Sequence, residues 1–307
     1  MSQGLYKTNF HFENQTDFYR GKVRDVYYFK DKIALIATDR ISAFDCILPR
    51  PIPYKGQVLN QLAWHFLENT RHQVPNWSIS MPNANTTIGY RCEPFKVEIV
   101  VRAYLAGHAW RLYKAGRREI CGQNLPEGLR EADPLPQLII TPTTKAAQGH
   151  DQDISPSEII KQGLLTDKQY QQIEAYAFQL FSMGAKMAND KNLILVDTKF
   201  EFGQFENKIM LMDEIFTPDS SRYYYADTYV QNQEKGIRQK QLSKEFVREW
   251  LMQNNFQGLE GQQMPAMPNY FVNEVTEKYV ELYQILTGKK FYKADNEDFI
   301  NSIKKYL

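Results

Sequence analysis

The segment Ile194–Gly203, ILVDTKFEFG, constrains the fold more than any other stretch of the chain. Its residues alternate in polarity, and a β-strand turns such alternation into two faces because successive side chains point to opposite sides. One expected face carries Ile194, Val196, Thr198, Phe200 and Phe202; the other carries Leu195, Asp197, Lys199 and Glu201. GQFENK then reads as a turn and IMLMDEIF as the returning strand, so a hairpin is expected over 194–215. Asp213 falls within a position or two of the point opposite Lys199 and Glu201, and cross-strand neighbours on one face lie roughly 4.5–5.5 Å apart. Two carboxylates that close repel unless a cation sits between them. A hard divalent ion such as Mg²⁺ suits the pair, since it takes one or two carboxylates together with phosphate oxygens. A solvated strand face with a Lys–Glu pair is the alternative reading of the same residues.

The rest of the chain mixes strands and helices without a regular βαβ repeat or a G-x-G-x-x-G turn, which points to an α+β fold. KVRDVYYFKDKIALIAT reads as a hairpin turning at KDK. GQVLNQLAWHFLENT has apolar residues at helical spacing, FKVEIVVRAYL is strand-like, and AGHAWRLYKAG is a short helix. Residues 120–157 are rich in Pro, Gly, Thr and Asp and show little periodicity, so a long functional or unstructured loop is expected there. Thr166 and Gln169 form a capping box ahead of a helix that feeds the Ile194 strand. Helices over Ser243–Asn254 and Phe271–Thr287, the latter capped by Gly288, make a helical tail.

With a net charge of +1, the 307-residue chain has no bulk field to attract nucleic acid or an anionic membrane. Three dispersed cysteines without a C-x-x-C pair argue against a zinc site or a disulfide framework. No window approaches the ~20 apolar residues of a membrane span. A soluble, cytoplasmic protein is expected, with its oligomeric state open and a monomer acceptable.

Several polar clusters suit anionic ligands. In RGKVRDVYYF, Gly21 lets the backbone approach closely while Lys22 supplies a cation, a pairing able to cover phosphates. It is not a Walker A motif, and an ordinary surface hairpin is the alternative. ATDRISAFD gathers Asp39, Arg40, Ser42 and Asp45 in a short turn that capping alone also explains. Arg102 ends an apolar strand, where it can grip a carboxylate or phosphate in a bidentate way or pair with a nearby acid. His108 stands near a helix start; TPTTKAAQGHD adds Thr143, Thr144, Lys145, His150 and Asp151; TPDSSRYYY adds Asp219, Ser220, Ser221 and Arg222. No Ser-His-Asp or Cys-His arrangement is legible.

GKVRDVY, ATDRISAFD, VVRAYLAG, TPTTKAAQGHD, LVDTKFEFG and MDEIFTPDSSRYY, in that order over residues 15–235, together resemble the SAICAR synthetase family, in its longer form. The resemblance implies a two-lobed α+β fold with antiparallel sheets and an ATP cleft between the lobes, distantly like ATP-grasp enzymes and kinases. A smaller lobe, 1–98, would cover ATP; 99–307 would carry the substrate and metal sites. The implied reaction joins L-aspartate to 5-amino-1-(5-phosphoribosyl)imidazole-4-carboxylate (CAIR), consuming ATP, with an acyl phosphate on the way. A kinase-like phosphotransferase acting on a small phosphorylated metabolite is the rival.

By the same resemblance, Gly21, Lys22 and Val23 belong to ATP, Glu201 and Asp213 to Mg²⁺, and Lys199 to the phosphate charge beside them. Arg102 and Arg222 are the expected grips on CAIR, with Lys22 and Lys199 the other expected catalytic cations. Glu98, Asp39, Ser42, Asp45 and Ser221 are expected to line the cleft. Thr143, Lys145, His150 and Asp151 would belong to a loop for aspartate and CAIR. His108 departs from the family's usual serine.

Overall fold

The computed structural model describes residues 4–145, 152–294 and 298–307. Two antiparallel sheets organise it. The first takes strands β1 (Asp17–Arg20), β2 (Arg24–Tyr28), β3 (Lys32–Ala37), β6 (Ser78–Asn83) and β7 (Thr86–Tyr90) in the order β1-β2-β3-β7-β6. A small ladder, β4 (Ser42–Ala43) with β5 (Cys46–Ile47), and helix α1 (Lys55–Thr70) lie between β3 and β6. The expected β2–β3 hairpin is present, and the sequence reading missed β1. Gly21–Val23 therefore form the tip of a β1–β2 hairpin, where Arg20 pairs with Asp25 and the Gly21 amide donates to Arg24 O at 2.8 Å.

The second sheet begins with β8 (Glu93–Tyr104), which leads into α2 (Gly107–Lys114) and a short ladder of β9 (Glu119–Ile120) with β10 (Gln123–Asn124). It continues with β11 (Pro134–Thr144), β12 (Leu193–Phe205), β13 (Lys208–Met212), β14 (Ser221–Tyr225) and β15 (Gln241–Leu242). The order is β11-β8-β12-β14-β15, with β13 paired to β12. Eleven residues read as loop are thus the strand β11. Its three prolines hid it, yet a sheet's edge tolerates residues that cannot donate to a ladder.

α3 (Pro156–Lys161) and α4 (Asp167–Asn189) precede β12, and both start with capping boxes, Ser155/Glu158 and the expected Thr166/Gln169. After β14 come α5 (Ala226–Glu234), α6 (Glu245–Gln253), α7 (Asn269–Thr287) and α8 (Phe299–Lys304). Gly288 ends α7 at φ 68°, as expected of a left-handed cap. α7 packs beside α1, whereas Phe299 and Ile303 of α8 return to the first sheet against Phe12, Tyr27 and Ile88.

The strict alternation expected for ILVDTKFEFG fails at one point. Against β14 the register passes from Leu195↔Tyr223 to Asp197↔Arg222, so two residues of β12 oppose one of its partner. That is a β-bulge, and it switches the face on which the apolar residues fall. Leu193 and Leu195 share the main core with Phe200 and Phe202, while Ile194 and Val196 pack on the other face near Tyr104 and Tyr224. Beyond the bulge, Asp197, Lys199 and Glu201 keep one common face.

Candidate active site

β12 carries this site because both of its long neighbours bring charge to the same face. On β8, Glu98 pairs directly with Glu201, and Arg102 pairs with Asp197. Lys199 Nζ donates at 2.8 Å to both Glu98 Oε1 and Glu201 Oε1. Lys145, one residue beyond β11, donates to Glu201 Oε2 at 2.5 Å. Burial works against ionisation of Glu201, but Lys199 and Lys145 outweigh it and hold the carboxyl far below its ordinary range. Burial also opposes charge on Lys199, and Glu201 and Glu98 overcome it, keeping the ammonium charged.

Asp213 reaches the group by a backbone device. The β12–β13 hairpin turns on Glu206 and Asn207, both at positive φ, and pairs Glu201 with Met212. Asp213 lies one residue past the strand at φ 58°, a left-handed conformation that aspartate tolerates better than most residues. The first sheet holds it there. Trp77 Nε1 donates to Asp213 O at 2.9 Å, and Arg24 grips Asp213 Oδ1 at 2.6 Å and Glu214 Oε1 at 2.7 Å. Burial raises the Asp213 carboxyl above its ordinary value; Arg24 opposes this, and Glu201 and Glu214 reinforce it.

A carboxylate whose ionisation is resisted by burial and by two neighbouring acids gains from a bound cation. Among the described residues no three His, Cys, Asp or Glu side chains gather around one point. Glu201 and Asp213 therefore suit an ion that completes its shell with phosphate oxygens and water, as Mg²⁺ does.

Next to this group opens a cavity of about 440 Å³, lined by Glu98, Arg102, Asp197, Lys199, Ser221, Arg222 and others. Arg102 donates to Asp197 Oδ2 at 2.9 Å and through Nε to Thr141 Oγ1 at 2.8 Å. Arg222 Nη1 reaches the same Asp197 oxygen at 2.9 Å, while its Nη2 donates to Glu245 Oε2 at 3.1 Å. Arg248 and Arg111 meet Glu245 at 2.8 and 3.4 Å. Burial resists the Glu245 charge, but Arg222, Arg248 and Arg111 lower its pKa to about 2. Two acids thus orient four arginines around one cavity. Gly107, at φ 55°, belongs to this arrangement, because a Cβ there would overlap the Arg222 guanidinium.

The floor is tied to α1 and α7. Lys55 of α1, fully buried, lies 3.0 Å from Asp219 Oδ2, and Tyr279 donates to Asp219 Oδ1 at 2.5 Å.

The structure brings together Glu98, Arg102, Lys145, Lys199, Glu201, Asp213, Ser221 and Arg222. Asp45 and His108 line the cavity, and Thr143 pairs with Glu98 across β11 and β8. Lys22 sits apart at the hairpin tip, half-exposed and ion-paired to Asp45, and with Gly21 it borders a separate open hollow. Val23 uses its carbonyl to accept from the Thr38 amide at 3.0 Å. Asp39 is turned inward, accepting from the Leu5 and Gly56 amides at 2.8 and 2.9 Å, and Ser42 is buried in β4. Neither lines the cavity. His150 and Asp151 lie outside the described residues.

The sequence did not reveal Asp197 as an arginine anchor or Arg24 as the clamp on Asp213, and gave no sign of Glu214, Lys55 or Glu245. Asp197 was legible in part, sharing a strand face with Lys199 and Glu201. Glu245, on a helix 23 residues from Arg222, gave no signal.

The family model described as SAICAR synthetase matches residues 17–265. The chain is 55% identical to phosphoribosylaminoimidazole-succinocarboxamide synthase of Cytophaga hutchinsonii, over 96% of this chain and 95% of that protein. It is 53% identical to the protein of that name from Bacteroides thetaiotaomicron, over 99% and 97%. Among solved structures, the SAICAR synthase of Saccharomyces cerevisiae complexed with SAICAR superposes with a TM-score of 0.78 at 31% identity, covering 93% of this chain and 99% of that one. A SAICAR synthetase from Pyrococcus horikoshii shares the fold at 23% identity, with a TM-score of 0.67 over 88% and 100% of the two chains.

Proposed function

Because the chain belongs to the SAICAR synthetase family, we infer that it is an ATP-dependent carbon–nitrogen ligase that joins L-aspartate to CAIR, giving SAICAR, ADP and phosphate. The observation that carries most of this reading is the common face of β12. There Asp197 anchors the cavity's arginines, and Glu201 meets two lysines next to the Asp213 clamp.

The chemistry follows from charge. A carboxylate resists attack because a nucleophile would add charge to an anion. Transfer of the γ-phosphoryl group to a CAIR carboxylate oxygen releases ADP and gives an acyl phosphate. The aspartate amine then attacks the carbonyl carbon, loses a proton, and inorganic phosphate departs with the electrons of the broken C–O bond. Catalysis of such a transfer is mostly positioning and electrostatics. Lys199 and Lys145 offset the crowded oxygens, and no protein side chain bonds to the substrate. Glu201 and Asp213 would hold Mg²⁺, which when bound neutralises phosphate oxygens.

We assign Arg102, Arg222 and Ser221 to the CAIR phosphate, and Glu98 to its carboxylate end. Gly21, Lys22 and Val23 belong to ATP, with residues 1–98 as the covering lobe and 99–307 holding the remaining sites. Thr143, Lys145 and the stretch through His150 and Asp151 are assigned to aspartate. The cytoplasm is the proposed compartment; no helix is long and apolar enough to cross a membrane among the described residues.

The test measures ADP release with CAIR and aspartate supplied singly and together. Sustained release is expected only with both. Equal release without aspartate would replace this reading with a phosphotransferase.

A further inference from the structure

We propose that Arg40 is a positioning residue for ATP: its buried guanidinium orients the peptide planes of the Gly21–Val23 tip so that two backbone amides stand ready for phosphate. The inference rests on the reading that this tip belongs to ATP.

Gly21, Lys22 and Val23 lie between β1 and β2, outside either strand. What fixes them comes from the segment just beyond β3. Arg40 is only 3% exposed. Its Nε donates to Lys22 O at 3.0 Å, its Nη2 to Gly21 O at 3.0 Å and to Asp25 Oδ1 at 2.8 Å, and its Nη1 to Tyr6 O. Thr38 adds its amide and its hydroxyl to Val23 O at 3.0 and 2.8 Å. All three carbonyls of the tip are therefore engaged by Thr38 and Arg40. In a planar trans peptide the N–H points opposite to the C=O of the same plane, and no cis peptide occurs among the described residues. The Lys22 and Val23 amides share their planes with Gly21 O and Lys22 O, so both face away from Arg40. Neither amide has a protein acceptor among the described residues. Two successive amides of this kind, on an exposed lysine and a half-buried valine, make a nest that suits phosphate oxygens.

The guanidinium is itself held in place. Asp25 is fully buried, and its Oδ2 accepts from the Thr8 amide and hydroxyl at 2.7 and 2.8 Å, which leaves Oδ1 turned to Arg40. A buried ion pair kept for stability alone gains little over an apolar pair of similar volume. The contacts to Gly21 and Lys22 give a reason for arginine here: a planar fork serves an acid and two carbonyls at fixed angles, and a lysine ammonium does not. The tip then has two parts. The Lys22 side chain can exchange Asp45 for a phosphate, while the backbone beneath it is set before ATP arrives.

The experiment compares Arg40→Lys, which keeps a charge opposite Asp25 but lacks the fork, with the wild type. The KM for ATP is expected to rise about tenfold, as for loss of one hydrogen bond to a charged group, with kcat and the KM for CAIR nearly unchanged. Amide NMR of protein labelled at lysine and valine nitrogens supplies the second readout. Adding a non-hydrolysable ATP analogue with Mg²⁺ should shift the wild-type Lys22 and Val23 signals and slow their exchange with solvent, and both responses should shrink in the variant. An unchanged KM for ATP, or a loss spread evenly over ATP, CAIR and kcat, would overturn the proposal. Should Arg40→Lys not fold, the wild-type spectra decide: amides that shift and gain protection support the proposal, and amides that do neither overturn it. Lys22→Ala separates the two levels. If it leaves the KM for ATP unchanged, the tip does not hold ATP; if it raises the KM while Arg40→Lys behaves as wild type, only the role of Arg40 is wrong.

Discussion

The arginine end of the cavity and the glycine-lysine tip both present cations, and they are built in opposite ways. Arg102 and Arg222 spring from adjacent positions around one strand, are buried, and share an oxygen of Asp197. Lys22 stands on a hairpin tip, half-exposed, with Asp45 as its partner. The first arrangement is preorganised, because each guanidinium is fixed by a buried acid before ligand arrives. The second is adaptable, since an exposed pair contributes little to stability and can be exchanged for a phosphate at small cost. On the proposed assignment, the preorganised end serves CAIR and the adaptable tip serves ATP.

The largest effect is expected at Asp213, where Arg24 and Trp77 meet the end of the β12–β13 hairpin. Asp213→Asn should lower turnover by about a thousandfold, in line with removal of one transition-state charge partner, while CAIR binding without metal changes little. Retained turnover would make the acid pair structural. Next comes the rigid end. Glu245→Gln removes the carboxylate from three arginines and should destabilise the protein by about 3 kcal/mol, as expected when a buried pair loses one member. It should also raise the KM for CAIR; thermal melting and kinetics together check this.

That variant should also alter the acid limb of stability. The Glu245 pKa is lower in the folded state than in the unfolded chain, so its contribution is present above the unfolded value of about 4.3 and is lost as pH falls toward about 2. Melting temperature against pH should therefore fall less steeply below pH 4.5 in Glu245→Gln. Arg222→Ala should raise the KM for CAIR by about tenfold to a hundredfold with kcat less affected, as for loss of a charged hydrogen-bond donor. The smallest structural effect belongs to the tip. Lys22→Ala should raise the KM for ATP while leaving the melting temperature within about one degree, because its pair is exposed. A large loss of stability there would erase the contrast between the two ends.

Much of the site could be read from local pattern. The shared face of Asp197, Lys199 and Glu201 followed from period-two alternation, and the hairpin that returns Asp213 followed from its turn. Strand β11 was illegible because its prolines mimic a loop until a neighbouring strand is known. The bulge at Val196 was illegible too, since nothing in ILVDTKFEFG itself marks where it sets two residues against one of its partner. The inward turn of Asp39 depended on Gly56 and Leu5 arriving from other segments.

What the amino-acid order determined alone were the elements whose signals span a few residues: the capping box at Thr166, the glycine cap at Gly288, the hairpin turn within GQFENK and the family's collinear motifs. Tertiary structure decided which acid anchors which arginine, how Trp77 and Arg24 hold Asp213, and which face of β12 meets the cavity. Those outcomes depend on partners far apart in the chain, Trp77 lying 136 residues from Asp213 and Arg24 farther still. Burial and Coulomb interaction act through space, and their strength depends on neighbours that the chain assembles only by folding.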